Sequence, residues 1–129
     1  MRVSIDCDSD VVAARQKGRE LASQCGFPST DTAVVATAIS ELARNIVLYA
    51  KRGEVVVVPV EVKDNRGLII TARDEGEGIA DIRQAMQDGY STSGRLGVGL
   101  PGVKRLMDEF EIVSEAGKGT TVIVKKWMR

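Results

Sequence analysis

After Pro28 the chain places apolar residues at Val35, Ile39, Leu42, Ile46 and Tyr49. Steps of four and three keep all five on one side of a helix. Ser29 or Thr30 is placed to cap its start and Gly53 to stop it. An earlier helix is predicted from Val11, Ala14, Leu21, Ala22 and Cys25, with Ser9 or Asp10 as cap and Gly26 at its end. "MRVSIDC" alternates as a strand does. "EVVVVPVEVK" and "GLIITAR" read as strands joined by a turn at Asp64-Asn65-Arg66-Gly67, and Pro59 marks an edge or a bulge. "DIRQAMQ" reads as a short helix, and "DGYSTSGRLG" as a polar, mobile stretch. "LPGVKRLMDEF" reads as a helix with Val103, Leu106, Met107 and Phe110 inward. "EIVSEAGKGTTVIVKKW" reads as a hairpin turning at Gly117-Lys118-Gly119.

Strands thus come as hairpins with helices grouped between them. That order predicts an α/β (α+β) two-layer sandwich: a mixed, mostly antiparallel sheet covered on one face by helices. No repeat, low-complexity run or linker divides the 129 residues, so residues 1–129 are expected to form a single domain.

Composition removes several function classes. Hydrophobic residues make up 43%, enough for a packed core. Lys plus Arg and Asp plus Glu number 18 each, so no general field attracts nucleic acid, and Lys125-Lys126-Trp127-Met128-Arg129 is the sole basic cluster. No apolar run approaches the ~20 residues of a membrane span, and the N-terminus has no signal-peptide pattern. The expectation is a cytoplasmic protein with neither membrane nor nucleic acid as partner. Cys7 and Cys25 have no metal-ligand spacing and read as free, buried thiols. The chain has no histidine, which excludes histidine-based triads, histidine zinc sites and a phosphohistidine relay within it.

The glycines carry the chemistry. Gly97, Gly99 and Gly102 match G-x-G-x-x-G, but the polar "DGYSTSGRL" precedes them where a dinucleotide fingerprint needs a buried strand. No G-K-[ST] follows as in a P-loop, and no strand lysine of the V-A-I-K kind accompanies them as in a protein-kinase loop. Asp74 ends an apolar strand and is followed by Gly76 and Gly78; alone this pattern more often marks a turn, but a carboxylate there can also accept from an adenine amino group while the ring slides over bare backbone. Gly117 and Gly119 precede Thr120. Glu41 and Asn45 stand i, i+4 on one helix face. Glutamate in mid-helix is ordinarily solvated, paired here with Arg44, but asparagine disfavours helix interiors. A neutral oxygen donor suits Mg²⁺, and a carboxylate one turn away can take a proton from an attacking hydroxyl or polarise a water.

Glu41-x-x-x-Asn45, Asp74-x-Gly76-x-Gly78, Gly97-x-Gly99 and Gly117-x-Gly119-Thr120, in this order, resemble the GHKL superfamily of ATP-binding domains, whose fold is the Bergerat sandwich. "ELARNIVLYA", "DEGEGIADIRQAM" and "LGVGLPGVKRLMDEFEIVS" look like the RsbT-type switch kinases of the stressosome. The resemblance is dense over residues 35 to 125. It implies ATP and Mg²⁺ as cofactors, Asn45 holding Mg²⁺ and phosphate oxygens, and Glu41 as catalytic carboxylate. It implies Asp74 on the adenine amino group, with Gly76, Gly78 and Ile79 shaping the pocket and Thr120 completing it. Gly94, Leu96, Gly97, Val98, Gly99 and Leu100 would form the end of an ATP lid, with phosphate received at a helix N-terminus. Many relatives carry Lys or His in the turn after the asparagine, where this chain has Leu48 and Tyr49. Positive charge for the phosphates is then expected from Arg95.

The implied function is a serine/threonine protein kinase that phosphorylates a STAS-domain protein of the stressosome and then activates a downstream enzyme, typically a PP2C-type phosphatase. The competing reading is an anti-sigma factor or other partner-binding module in which ATP only sets conformation.

Overall fold

The computed structural model describes residues 1–50, 52–76, 99–115 and 117–128. In chain order these form β1 (Arg2–Ile5), α1 (Asp8–Gln24), α2 (Ser29–Tyr49), β2 (Gly53–Val62), β3 (Asn65–Asp74), α3 (Gly99–Leu106), β4 (Glu109–Glu115) and β5 (Gly119–Trp127). The five strands make one sheet in the order β1-β2-β3-β5-β4. Every pairing among the described residues is antiparallel. The mostly antiparallel sandwich expected from the sequence is therefore present, without a parallel pair among those residues.

Strand alternation decides which side of the sheet is covered. Val55 and Val57, Leu68, Ile70 and Ala72, and Val122 and Val124 are buried. They share a core with Val35, Ile39, Leu42 and Ile46 of α2 and with Leu100 and Val103 of α3. Burying each large apolar side chain contributes about 1.5–3 kcal/mol. The opposite face carries the alternating residues, among them Val58 and Val113, which are exposed. α2 lies against β1, β2 and β3, and packs on α1 and α3 at its flanks. α1 comes very close to it: a Cβ on Gly18 would overlap Ile39 Cδ1.

Several local expectations are corrected. α1 starts two or three residues early, with Cys7 as N-cap. Cys7 is exposed there and Cys25, at the other end of the helix, is half-buried, so neither thiol is the buried one expected. Asp10 contributes from inside the helix: its Oδ2 accepts the N–H of Asp6 at 2.9 Å and that of Cys7 at 3.3 Å. Those backbone donors, Asp6 first, hold its carboxyl below the usual carboxylate range. α2 has Pro28 as N-cap, so Ser29 and Thr30 are already helical. It ends at Tyr49 with Ala50 as C-cap, and Gly53 instead opens β2. Tyr49 is 52% exposed and leaves the core stripe, because a 4-3-4-3 run drifts off the buried face near a helix end. The β2–β3 turn is Lys63-Asp64, two residues earlier in the chain than expected, with Lys63 at φ 56°. Asn65 to Gly67 already pair with β2. Pro59 sits in an unbroken register with β3. On its other side β1 has ended, since Met1 pairs with Val57, so Pro59 lies at an edge and not at a bulge. α3 stops at Leu106, and Phe110 faces the core from β4 rather than from the helix. The helix expected at "DIRQAMQ" and the polar stretch "DGYSTSGRLG" lie outside the described residues up to Val98.

Candidate functional site

The end of β3 is where the site is built. Asp74 is the last residue of the strand, paired with Gly53 on one side and Thr120 on the other. Its Oδ1 accepts the N–H of Gly76 at 3.0 Å and the N–H of Thr120 at 3.2 Å. Two backbone donors thus fix the carboxylate, and no donor among the described residues engages Oδ2. An oriented acceptor at a strand end is what an amino group on a flat heterocycle requires.

The neighbouring glycines let other backbone come this close. Gly119 has φ +109°, and a Cβ there would collide with the carbonyl oxygen of Asp74. A Cβ on Gly53 would lie 2.8 Å from Ile46 Cγ2 and 3.1 Å from Asp74 Cβ. A Cβ on Gly76 would lie 2.7 Å from Ala50 Cβ. These contacts bring the last turns of α2, and with them the neighbourhood of Asn45, to the end of β3. Thr120 is buried, and its Oγ1 lies 2.8 Å from Ser114 Oγ across the β4–β5 pair.

Glu41 is not the solvated residue that mid-helix glutamates usually are. Its side chain is only 12% exposed, and its Oε1 accepts from Arg44 Nη1 at 2.8 Å. Asn45, one turn on, is half-buried. A carboxamide oxygen beside a carboxylate is a donor set that suits Mg²⁺, which retains waters and takes few protein ligands. Among the described residues no group of three or more Cys, Asp and Glu could enclose a metal, so an all-protein cage is not built here.

The structure therefore brings Asp74, Gly76 and Thr120 together at one strand end, and sets Glu41 and Asn45 on the helix that reaches it. Gly99 and Leu100 open α3, with Gly99 at φ +61° and Leu100 buried against the core. Gly78, Ile79, Gly94, Arg95, Leu96, Gly97 and Val98 lie outside the described residues. Two residues in contact with these positions, Arg44 with Glu41 and Ser114 with Thr120, were not singled out from the sequence. Arg44 was weighed only as a surface partner. Ser114 was not considered, although a serine at a sheet position facing the helices was a signal. A cleft of about 460 Å³ between Ser4, Arg52, Glu54 and Arg73 opens at the same sheet end but includes neither Asp74, Glu41 nor Asn45.

A model of the histidine kinase-like ATPase domain matches residues 4–126. The chain belongs to that family. It is 55% identical over 127 residues to the serine/threonine-protein kinase RsbT of Bacillus subtilis, covering 98% of this chain and 96% of that protein. Within the family it is thus a serine/threonine protein kinase of the RsbT type. It is also 32% identical over 120 residues to the anti-sigma F factor of Caldanaerobacter subterraneus, covering 89% of this chain and 83% of that protein. In three dimensions it resembles the RsbU and RsbW domains of a Mycobacterium tuberculosis protein, with a TM-score of 0.65 at 20% identity. That match covers all of this chain and 33% of the other. The histidine kinase domain of an Erythrobacter litoralis blue-light activated kinase has a TM-score of 0.55 at 17% identity, covering 92% of this chain and 59% of that one. Both structural matches bear on the fold. No described helix is long and apolar enough to cross a membrane.

Proposed function

We propose that residues 1–129 act as a single ATP-binding kinase domain in the cytoplasm. Its substrate is a serine or threonine of a STAS-domain protein in a stressosome. After phosphorylation the kinase exchanges partner and activates a downstream signalling enzyme of the PP2C phosphatase kind. The observation that carries the nucleotide site is the Asp74 carboxylate, held through Oδ1 by two backbone N–H groups with Oδ2 left to accept.

In this reading Oδ2 accepts the adenine amino group, and Gly76, Gly78 and Ile79 let the ring lie against the backbone. Thr120 closes the far side. Asn45 holds phosphate oxygens and Mg²⁺, which when bound offsets the phosphate charge. The end of the lid, from Gly94 to Leu100, offers N–H groups to the phosphates, with Arg95 as the cation. The substrate hydroxyl oxygen attacks the γ-phosphorus, the bond to the β-phosphate oxygen breaks, and ADP leaves. Glu41 receives the hydroxyl proton. General-base help of this kind is worth roughly 10²–10⁴ in rate.

Incubation with γ-labelled ATP, Mg²⁺ and a STAS-domain protein should put label on serine or threonine of that protein. Tight ATP binding with no transfer to any such acceptor would overturn the kinase reading. It would favour a second one, a nucleotide-gated partner-binding module, for which the similarity to anti-sigma F factors speaks.

A further inference from the structure

The catalytic role proposed for Glu41 leaves a neighbour unexplained. Arg44 lies in the same helix, one residue before Asn45, with its side chain 33% exposed. Its Nη1 donates to Glu41 Oε1 at 2.8 Å. Among the described residues Glu41 has no other hydrogen-bond partner.

We infer that Arg44 is the positioning residue of Glu41: it fixes one carboxylate oxygen so that the other points at the reacting hydroxyl. The inference rests on Glu41 being the proton acceptor. Two arguments lead to it. A glutamate side chain retains three rotatable bonds, and a carboxylate free to swing would spend little time in line with a substrate proton. Asp74, at the other end of the site, uses the same device, with one oxygen held by protein donors and the other left for the ligand.

The geometry suits an arginine. The pair spans i, i+3, where side chains on a helix meet. Guanidinium donors are set in a rigid plane, which constrains the carboxylate direction more than an ammonium would. Arg44 does not touch the reacting atoms in this account. It acts through Glu41.

A double-mutant cycle reads this directly, using γ-labelled ATP and a STAS-domain acceptor that the wild type labels. Arg44→Ala should lower kcat by about tenfold to a hundredfold, the scale of a misplaced reacting group. KM for ATP should change less than about twofold, because the adenine contacts are elsewhere. Arg44→Lys, which keeps the charge but not the planar fork, should recover part of kcat and guards against a variant that fails to fold. In a Glu41→Gln background, Arg44→Ala should cost almost nothing further, since the group it positions is gone. Equal losses in both backgrounds would overturn the proposal. So would a rise in KM for ATP at unchanged kcat, which would make Arg44 a phosphate ligand. If Glu41→Gln is slow while Arg44→Ala is normal, this proposal alone fails. If Glu41→Gln itself transfers at the wild-type rate, the assignment of Glu41 fails and this one with it.

Discussion

Replacing Asp74 by Asn isolates one hydrogen bond at the base of the nucleotide site. The side chain keeps its size but must choose which end faces inward. With its oxygen in the place of Oδ1, it still accepts from Gly76 N–H and Thr120 N–H. With the amide nitrogen there, both donors lose their acceptor, at about 1–3 kcal/mol for each buried group. The first orientation wins, and it turns the –NH₂ toward the adenine amino group. A donor then faces a donor. Loss of a hydrogen bond to a charged acceptor costs roughly 1.5–3 kcal/mol, or about ten- to 150-fold in Kd. The melting temperature should move by only a few degrees, because the backbone contacts survive. Titration calorimetry with Mg²⁺–ATP measures the first number and thermal unfolding the second. Inosine triphosphate sharpens the test, since its 6-oxo group accepts where adenine donates. The wild type should prefer ATP, and Asp74→Asn should narrow or invert that preference. A folded Asp74→Asn protein with unchanged affinity for both nucleotides would refute the reasoning.

Other outcomes follow from the packing. Gly119→Ala puts a Cβ against the Asp74 carbonyl at φ +109° and should cost on the order of 1–3 kcal/mol from the backbone alone, together with most ATP affinity; denaturant unfolding and nucleotide titration check both. Gly18→Ala should destabilise by about 1–3 kcal/mol by overpacking Ile39, and Ile39→Val, which deletes the Cδ1 that the new methyl meets, should return part of the loss. Asn45→Ala should abolish Mg²⁺-dependent phosphate binding at near-normal melting temperature, since Ala favours a helix interior more than Asn does; unfolding of the variant with ATP binding intact would make Asn45 structural.

How much was legible beforehand depended on whether local chemistry or packing decided the outcome. The α2 stripe from Val35 to Ile46 could be read because each step obeys one helical period, and those residues are buried. The sheet layer could be read from alternation in β3 and β5. Element ends could not. Asp10 caps α1 from its third position, which looks the same in sequence as Asp10 standing at the N-cap itself. Lys63 takes a positive φ that composition does not favour, so the residue types point instead to a turn at Asp64-Asn65-Arg66-Gly67. In the site, Asp74-x-Gly76-x-Gly78 alone reads as a turn, and it is legible only because it stands in order with Glu41-x-x-x-Asn45, Gly97-x-Gly99 and Gly117-x-Gly119-Thr120. The burial of the Glu41–Arg44 pair was hidden. Charge at i, i+3 reads as a solvated surface pair until the exposure of the two side chains in the folded chain is known. The Ser114–Thr120 contact required the β4–β5 register, which follows from the turn and not from either residue.

The account turns on Glu41 accepting a proton while the rest of the site binds nucleotide. Single-turnover transfer from γ-labelled ATP to a STAS-domain acceptor, measured for wild type and Glu41→Gln at saturating ATP and acceptor, tests it most directly. The account predicts ATP affinity within about twofold of wild type, because binding runs through Asp74 and Asn45. It predicts transfer at least ~10²-fold slower, the lower bound of general-base help. Transfer by Glu41→Gln at the wild-type rate would contradict it.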